Sequence, residues 1–351
     1  MVNVAKLRLR LRYGYHLVKF ILKELKSKPT LGLSERARLV SQGFFSNSYR
    51  LYELDRNRPE QYVTDFRRYV IAPLINRDFK FFLSNKIAFH ALLRSFPQYQ
   101  VELIGAVEDG KLLNKSFAAM SAEEFWDRLQ EKGRLVIKPV RGSAGSDVTV
   151  IAREGNAIRV GADRCSLEQL MDRLRGFGDS VIEEFVSQHP TLAGFFPKTT
   201  NTLRALTLKD VDTGQPFIAA AILRIGSERS LPVDNWEKGG LSAPIELSTG
   251  QLGAAARLDP RERRLTRHDA HPESGARVAG VLLPFWTEVC KGLLEVCRAL
   301  PFLRYVGWDV IITENGFKIL EGNNHSGVNS IQTHGPLLVN PAVRRFYNAY
   351  T

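Results

Sequence analysis

The 351 residues include 44% hydrophobic and 25% charged side chains, an ordinary globular composition in a chain too long for one packed core, so two or three lobes are expected. No stretch approaches the ~20 apolar residues of a membrane span, no secretory leader is visible, and three cysteines build no disulfide framework, which together point to a reducing, cytoplasmic setting. A net charge of +12 suits nucleic acid, anionic lipid or an anionic substrate, but no helix-turn-helix, finger or RNA-binding pattern supports nucleic acid.

The charge is concentrated at the start. Lys6, Arg8, Arg10, Arg12, Lys19, Lys23, Lys26 and Lys28 stand against Glu24 alone. Leu17, Val18, Phe20, Ile21, Leu22 and Leu25 recur at helical spacing, so residues 1–30 read as one basic amphipathic helix ended by Pro29. Such a helix packs its apolar stripe on the body of the protein or docks residues 1–28 on the anionic, inner face of a membrane. Residues 34–96 read as further helices, with Ser34 as an N-cap, Pro59 at a helix start and another helix opening at Asn85.

Residues 101–107 and 111–115 read as short strands about Glu108-Asp109-Gly110. Ser121 to Glu124 is a capping-box pattern, and Gly133 would close the helix it starts. Then come a strand over 134–140, a glycine-bearing loop Arg141-Gly142-Ser143-Ala144-Gly145-Ser146, a strand over 147–152, Cys165 in a loop, a second capping box Ser166 to Gln169, and a strand over 180–186. After Pro190 the pattern is antiparallel: a hairpin about Asp212-Thr213-Gly214, a polar loop from Asp234 to Gly240, a helix over 275–299 with Cys290 and Cys297 in its core, and a last helix over 341–350.

Between the last two helices lies Tyr305-Val306-Gly307-Trp308-Asp309-Val310-Ile311-Ile312, a turn, and Phe317-Lys318-Ile319-Leu320-Glu321-Gly322-Asn323-Asn324, a β-hairpin. A three-residue loop places Asp309 opposite Glu321, with Asn323 on the same face; a two-residue Asn-Gly turn shifts the register and separates them. Adjacent carboxylates repel and tend to protonate, and oxygen ligands without His or Cys suit Mg²⁺, which keeps waters and takes phosphate oxygens. Lys138 before a Gly/Ser loop is a phosphate grip of a kind other than Walker A. Residues 183–186 offer a strand edge and a carboxylate to an adenine amino group.

In order and spacing, Lys86, Lys138 with its loop, Glu183-Glu184-Phe185-Val186, Asn201-Thr202-Leu203-Arg204, Val233-Asp234-Asn235 with Gly239-Gly240, Gly307-Trp308-Asp309 and Glu321-Gly322-Asn323 resemble the ATP-grasp superfamily over about residues 80–335. The resemblance is strongest to the branch related to glutamate ligases and sugar-transfer-associated members. It implies an α+β fold of two lobes sandwiching ATP, with a helical, basic N-terminal extension. The expected divisions are 1–80 for that extension, 81–130 for an N-terminal lobe, 131–190 for a small ATP-binding subdomain, and 191–351 for a subdomain with the metal and acceptor site.

The resemblance further implies that Lys86, Lys138, Gly142, Ser143, Gly145 and Ser146 contact nucleotide and phosphates, and that Glu183, Glu184, Phe185 and Val186 hold adenine. Asp309, Glu321 and Asn323 would bind one or two Mg²⁺, with Mn²⁺ a substitute. Arg204, Arg224 and Asn235 would face the γ-phosphate and acceptor carboxylate. The ribose carboxylate of relatives is replaced by Ser187-Gln188-His189-Pro190, which leaves Gln188 or His189 for that contact. The implied reaction is ATP-dependent carboxylate–amine ligation through an acylphosphate, on a saccharide or other small carboxylate. The alternatives are a kinase acting on a hydroxyl and a non-catalytic, membrane-docking nucleotide binder. His268, His271, His325 and His334 are not spaced for zinc; His325 alone stands near the hairpin for acid–base work.

Overall fold

The computed structural model describes residues 4–26 (side chains from residue 10), 31–142, 148–155, 157–161, 163–259 and 264–350. Pro29, Ser143, Gly145 and Ser146 lie outside the described residues. Two compact units form. The first comprises Met1–Lys80, Gln188–Phe317 and Gly322–Thr351; the second comprises Phe81–Ser187 and Lys318–Glu321.

The second unit is built on an antiparallel sheet. Its strands are β1 (Leu103–Glu108), β2 (Lys111–Asn114), β3 (Arg134–Pro139), β4 (Thr149–Glu154), β5 (Ala157–Val160), β6 (Asp163–Cys165) and β7 (Ser180–Glu184), in the order β2-β1-β7-β3-β4-β5-β6. Leu135, Ile137, Ile151, Ile158 and Ile182 line one face and pack with Phe125, Leu129, Leu170 and Leu174 from two helices. Both helices begin where their caps predict. The Ser121 hydroxyl accepts from Glu124 N, and Ser166 with Gln169 forms the full reciprocal box. Gly133, at φ 70°, ends the first, a backbone position glycine takes without steric cost.

Two expectations fail in this unit. Cys165 is a buried strand residue, not a loop residue. Strand β7 is interior, flanked by β1 and β3, so it offers no edge until Phe185.

The first unit carries the other sheet: β8 (Leu203–Lys209), β9 (Pro216–Ile225), β10 (Leu241–Pro244), β11 (Ala255–Leu258), β12 (Leu265–His268), β13 (Tyr305–Thr313) and β14 (Gly316–Asn323), ordered β12-β11-β10-β9-β8-β13-β14. The central residues of β14 group with the second unit. Because β13 is buried almost throughout, it reads as a continuous apolar run rather than an alternating one. One of its faces meets the helix Trp286–Ala299, where Thr207 Oγ1 accepts from Trp308 Nε1 at 2.8 Å and from the Cys297 thiol at 3.5 Å. The other face carries Leu206, Leu208, Ile222 and Tyr305, packed with Ala72 and Ile75 from the N-terminal region and with Val343, Phe346 and Tyr347 from the last helix.

Residues 1–80 thus belong to the body of the first unit. Asn76 Oδ1 accepts from Arg304 N and Tyr305 N, its Nδ2 donates to Tyr305 O, and the Gln332 amide spans the backbone of Val63. Ser34 is not a cap: the helix Leu33–Ser41 starts from Gly32 without a side-chain bond. The helix expected over 275–299 begins only at Trp286. Gly275 and Gly280 take positive φ, and Pro284 lacks the N–H that a helix interior would need. Cys290 and Cys297 ride on this helix, and burial pushes each thiol up to about 11.

Candidate functional site

In the second unit, pairing of β3 with β7 sets Lys138 beside Glu183, 2.5 Å from Nζ to Oε2. The helix Lys86–Leu92, capped by Asn85 Oδ1, brings His90 to the other carboxylate oxygen at 2.9 Å. The Gln100 amide bonds His90 O at 2.7 Å and lies 3.1 Å from Nδ1. Burial pushes the Glu183 carboxyl up, but Lys138 and His90 outweigh it and hold the group at about 2. Lys86 donates Nζ to Pro139 O at 3.0 Å. Burial lowers its pKa and Lys138 adds to this, while Glu321 and Glu183 oppose. Lys138 bound to the buried Glu183, with Lys86 held on the neighbouring Pro139 carbonyl, puts two ammonium groups at one strand end, a pair that suits phosphate oxygens.

The remaining nucleotide candidates are differently employed. Glu184 accepts from Glu102 N at 3.1 Å, and Phe185 N donates to Arg134 O while its ring lies under the Arg134 guanidinium. Val186 follows the end of β7. Gly142 is described and takes φ 155°.

In the first unit, Arg204 on β8 stands opposite Asp309 on β13. Arg204 Nε donates to Oδ1 and its NH2 donates to Oδ2 at 2.9 Å, the forked geometry of a bidentate pair. Arg224, two residues beyond Ile222 and so on the same sheet face, donates to Asp309 Oδ2 at 3.0 Å and to Thr202 Oγ1. Thr202 in turn bonds Asp234 at 2.8 Å through its N–H. Burial, with help from Asp309, raises the Asp234 pKa against the pull of Arg224 and Thr202.

Next to this network the Asn323 amide donates to Gly307 O at 3.2 Å. The hairpin loop is Glu314-Asn315, one residue shorter than the loop on which the pairing of Asp309 with Glu321 rested. Gly316, at φ 137°, is already in β14.

Several candidates serve as structural ties. Asn235 Oδ1 caps the short turn Trp236–Lys238. His189 Nδ1 caps the helix Pro190–Phe195, and the Gln188 amide bridges Thr199 O and Asn201 N. His325 meets Tyr69 edge-on at 5.1 Å, and desolvation with the Arg68 and Lys23 charges lowers its pKa, which removes it from proton transfer near neutrality.

Sequence reasoning missed Arg68 and Ser326. The Ser326 hydroxyl is buried without a hydrogen-bond partner, and it fills the space that a side chain on Gly307 would need. Arg68 is buried with its Nε unpartnered, 3.9 Å from Glu237. Only the glycine at 307, inside an apolar strand, hinted at a close approach.

The model of the sugar-transfer associated ATP-grasp family matches residues 66–343. The chain belongs to that family. ATP and Mg²⁺ are the family's cofactors. The oxygen donors Asp309, Glu321 and Asn323 fit a hard cation in kind, and among the described residues no three His, Cys, Asp or Glu side chains form a preformed metal cluster.

Among solved structures, the chain is similar to the ATP-grasp ligase PsnB with its minimal precursor, at 14% identity over 79% of this chain and 64% of that one (TM-score 0.40). It is also similar to a D-alanine–D-alanine ligase from Bacillus anthracis, at 11% over 76% and 67% (TM-score 0.38). A third is the ADP complex of PurK, N5-carboxyaminoimidazole ribonucleotide synthetase, at 10% over 76% and 52% (TM-score 0.43). The chain thus spans less than two thirds of the first of these, and likenesses so slight do not bear on activity. No curated protein matches the chain.

Proposed function

We propose that this member of the family is an ADP-forming ligase that joins an amine to the carboxylate of a saccharide or other small acid. What supports the reading most is the buried Arg204–Asp309–Arg224 network within the stretch matched by the family. Two guanidinium groups converge on the buried Asp309 carboxylate, with Asp234 3.6 Å from Arg224, so charge is gathered here well beyond what a sheet needs for its own stability. They suit a site that receives anionic groups.

A carboxylate oxygen of the acid attacks the γ-phosphorus, the bond to the β,γ-bridging oxygen breaks, and ADP leaves. The amine nitrogen then attacks the acyl carbon, the carbon–oxygen bond to phosphate breaks, and a proton leaves the nitrogen. In this reading Lys86 and Lys138, together with the stretch that begins at Gly142, grip the phosphates, and residues 183–186 border the base. Arg204 and Arg224 steady the acceptor carboxylate and the developing oxyanion. Asp309, Glu321 and Asn323 would supply the oxygen donors for Mg²⁺, with Asp309 turning from its arginines to do so, and the ion would neutralise phosphate charge. The setting is cytoplasmic, with the basic N-terminal helix facing a membrane.

The test is parallel release of ADP and inorganic phosphate from Mg·ATP with pooled carboxylates and pooled amines. Equal release that needs both pools, and is lost by at least about a hundredfold in Glu321→Ala, is the expected outcome. ADP without phosphate identifies a kinase and overturns the proposal, as does near-normal turnover in Glu321→Ala for the metal assignment.

A further inference from the structure

From residue 10 onward, where its side chains are described, the helix Val4–Leu25 turns one face to the fold. Phe20 is buried and stacks on Phe45 at 4.7 Å. Glu24 is buried, pairs with Arg36 at 3.0 Å and accepts from Ser46 N. On the opposite face Leu11 is 66% exposed, Tyr15 56%, Val18 56%, Leu22 48% and Leu25 68%. At 3.6 residues per turn these five fall within about 80° of arc, centred opposite Phe20. Among the described residues none covers them.

Cations flank this stripe. Arg10, Lys19 and Lys26 are exposed beside it, and Glu24, the one acid between residues 10 and 26, faces inward. Lys19 lies 4.5 Å over the Tyr15 ring. An apolar ridge with an aromatic at its border and cations beside it matches the boundary between acyl chains and anionic headgroups. No described helix is long and apolar enough to cross a membrane, so the helix would lie in the plane.

The spacing 11-15-18-22-25 also resembles a coiled-coil seam. A second copy, however, would set like-charged flanks against each other, with no acids at the positions that pair across such a seam.

We propose that the helix Val4–Leu25 is a peripheral docking element for an anionic bilayer, seated through Leu11, Tyr15, Val18, Leu22 and Leu25. The proposal deepens the membrane-facing setting given above. It is tested without reference to turnover, so that either can fail while the other stands.

The full chain is sedimented with vesicles of phosphatidylcholine alone and with vesicles that also contain phosphatidylglycerol. Binding is expected to the mixed vesicles only. It should fall by roughly tenfold or more in the Leu22→Glu/Leu25→Glu variant and by a similar factor in Lys19→Glu/Lys26→Glu. All four positions are exposed, so both variants should keep the native unfolding midpoint. No binding to mixed vesicles overturns the proposal. So does binding that Leu22→Glu/Leu25→Glu leaves unchanged, which is attraction by charge alone. A dimer by light scattering that this variant splits, without vesicle binding, overturns it in favour of a second copy.

Discussion

His334 shows how burial sets protonation at single positions. Its Nε2 lies 2.9 Å from the Ser242 hydroxyl. Burial, with the Arg267 charge, holds its pKa at about 4 against the 6.5 of a free histidine. A folded value below the unfolded one means that acid favours the unfolded chain. The stability tied to this residue is complete above about pH 6.5 and is lost as pH falls towards 4, at up to ~1.4 kcal/mol per pH unit. Unfolding free energies from denaturant titrations at pH 7 and pH 5 should therefore drop by roughly 1–2 kcal/mol more in the native protein than in His334→Gln. Glu183, held at about 2, adds its own loss only below the ordinary carboxylate range.

At this scale the chemistry was legible and the partnerships were not. Lys138, Arg204 and Asp309 announce charge in apolar strands. That Glu183 serves Lys138 and His90, and Asp309 serves two arginines, depends on register across strands far apart in sequence.

Strand β13 places the network, and its glycine is the tightest point. A side chain on Gly307 would lie 2.6 Å from Ser326 Cβ and 3.4 Å from Arg204 Cδ. Gly307→Ala should cost roughly 1–3 kcal/mol in urea unfolding. The neighbour that must move is Ser326, while Arg204 stays at contact distance, so the loss should be read in stability far more than in turnover per folded molecule. Elements with a strong local signature could be read from the sequence. The full box at Ser166, the caps at Ser121 and Asn85 and the hairpin at Asp212-Thr213-Gly214 are all present; at Ser121 the cap is one-way, without the return bond from Glu124. The strands β5, β6 and β10 to β12 could not be read. They are three or four residues long and several are partly exposed, so the two-residue alternation never accumulates.

Over the whole molecule, the basic charge of residues 1–80 hides how much of them is core. Leu39, Phe44, Tyr52, Leu54 and Tyr62 form one cluster, and Phe20, Phe45, Val70 and Ile71 another. Ala72 and Ile75 cover the face of the sheet that bears Leu206 and Tyr305. A chain that starts at residue 81 should lose cooperative unfolding and aggregate, read by light scattering and a denaturant titration, because that face would be laid open. Motif order could be read along the chain because each motif is local. The covering of one sheet by a distant, cationic stretch could not, since charge density says nothing about which apolar residues turn inward.

The thiols have a practical meaning. Cys165 and Cys297 are buried, and Cys290 and Cys297 are held near 11, so each of this pair keeps only about one part in ten thousand as thiolate at neutral pH. Maleimide chemistry reaches such groups slowly. Cys165 and Cys297 are shielded by burial, so the half-buried Cys290 is the one native thiol to replace before a reporter cysteine is set on the surface.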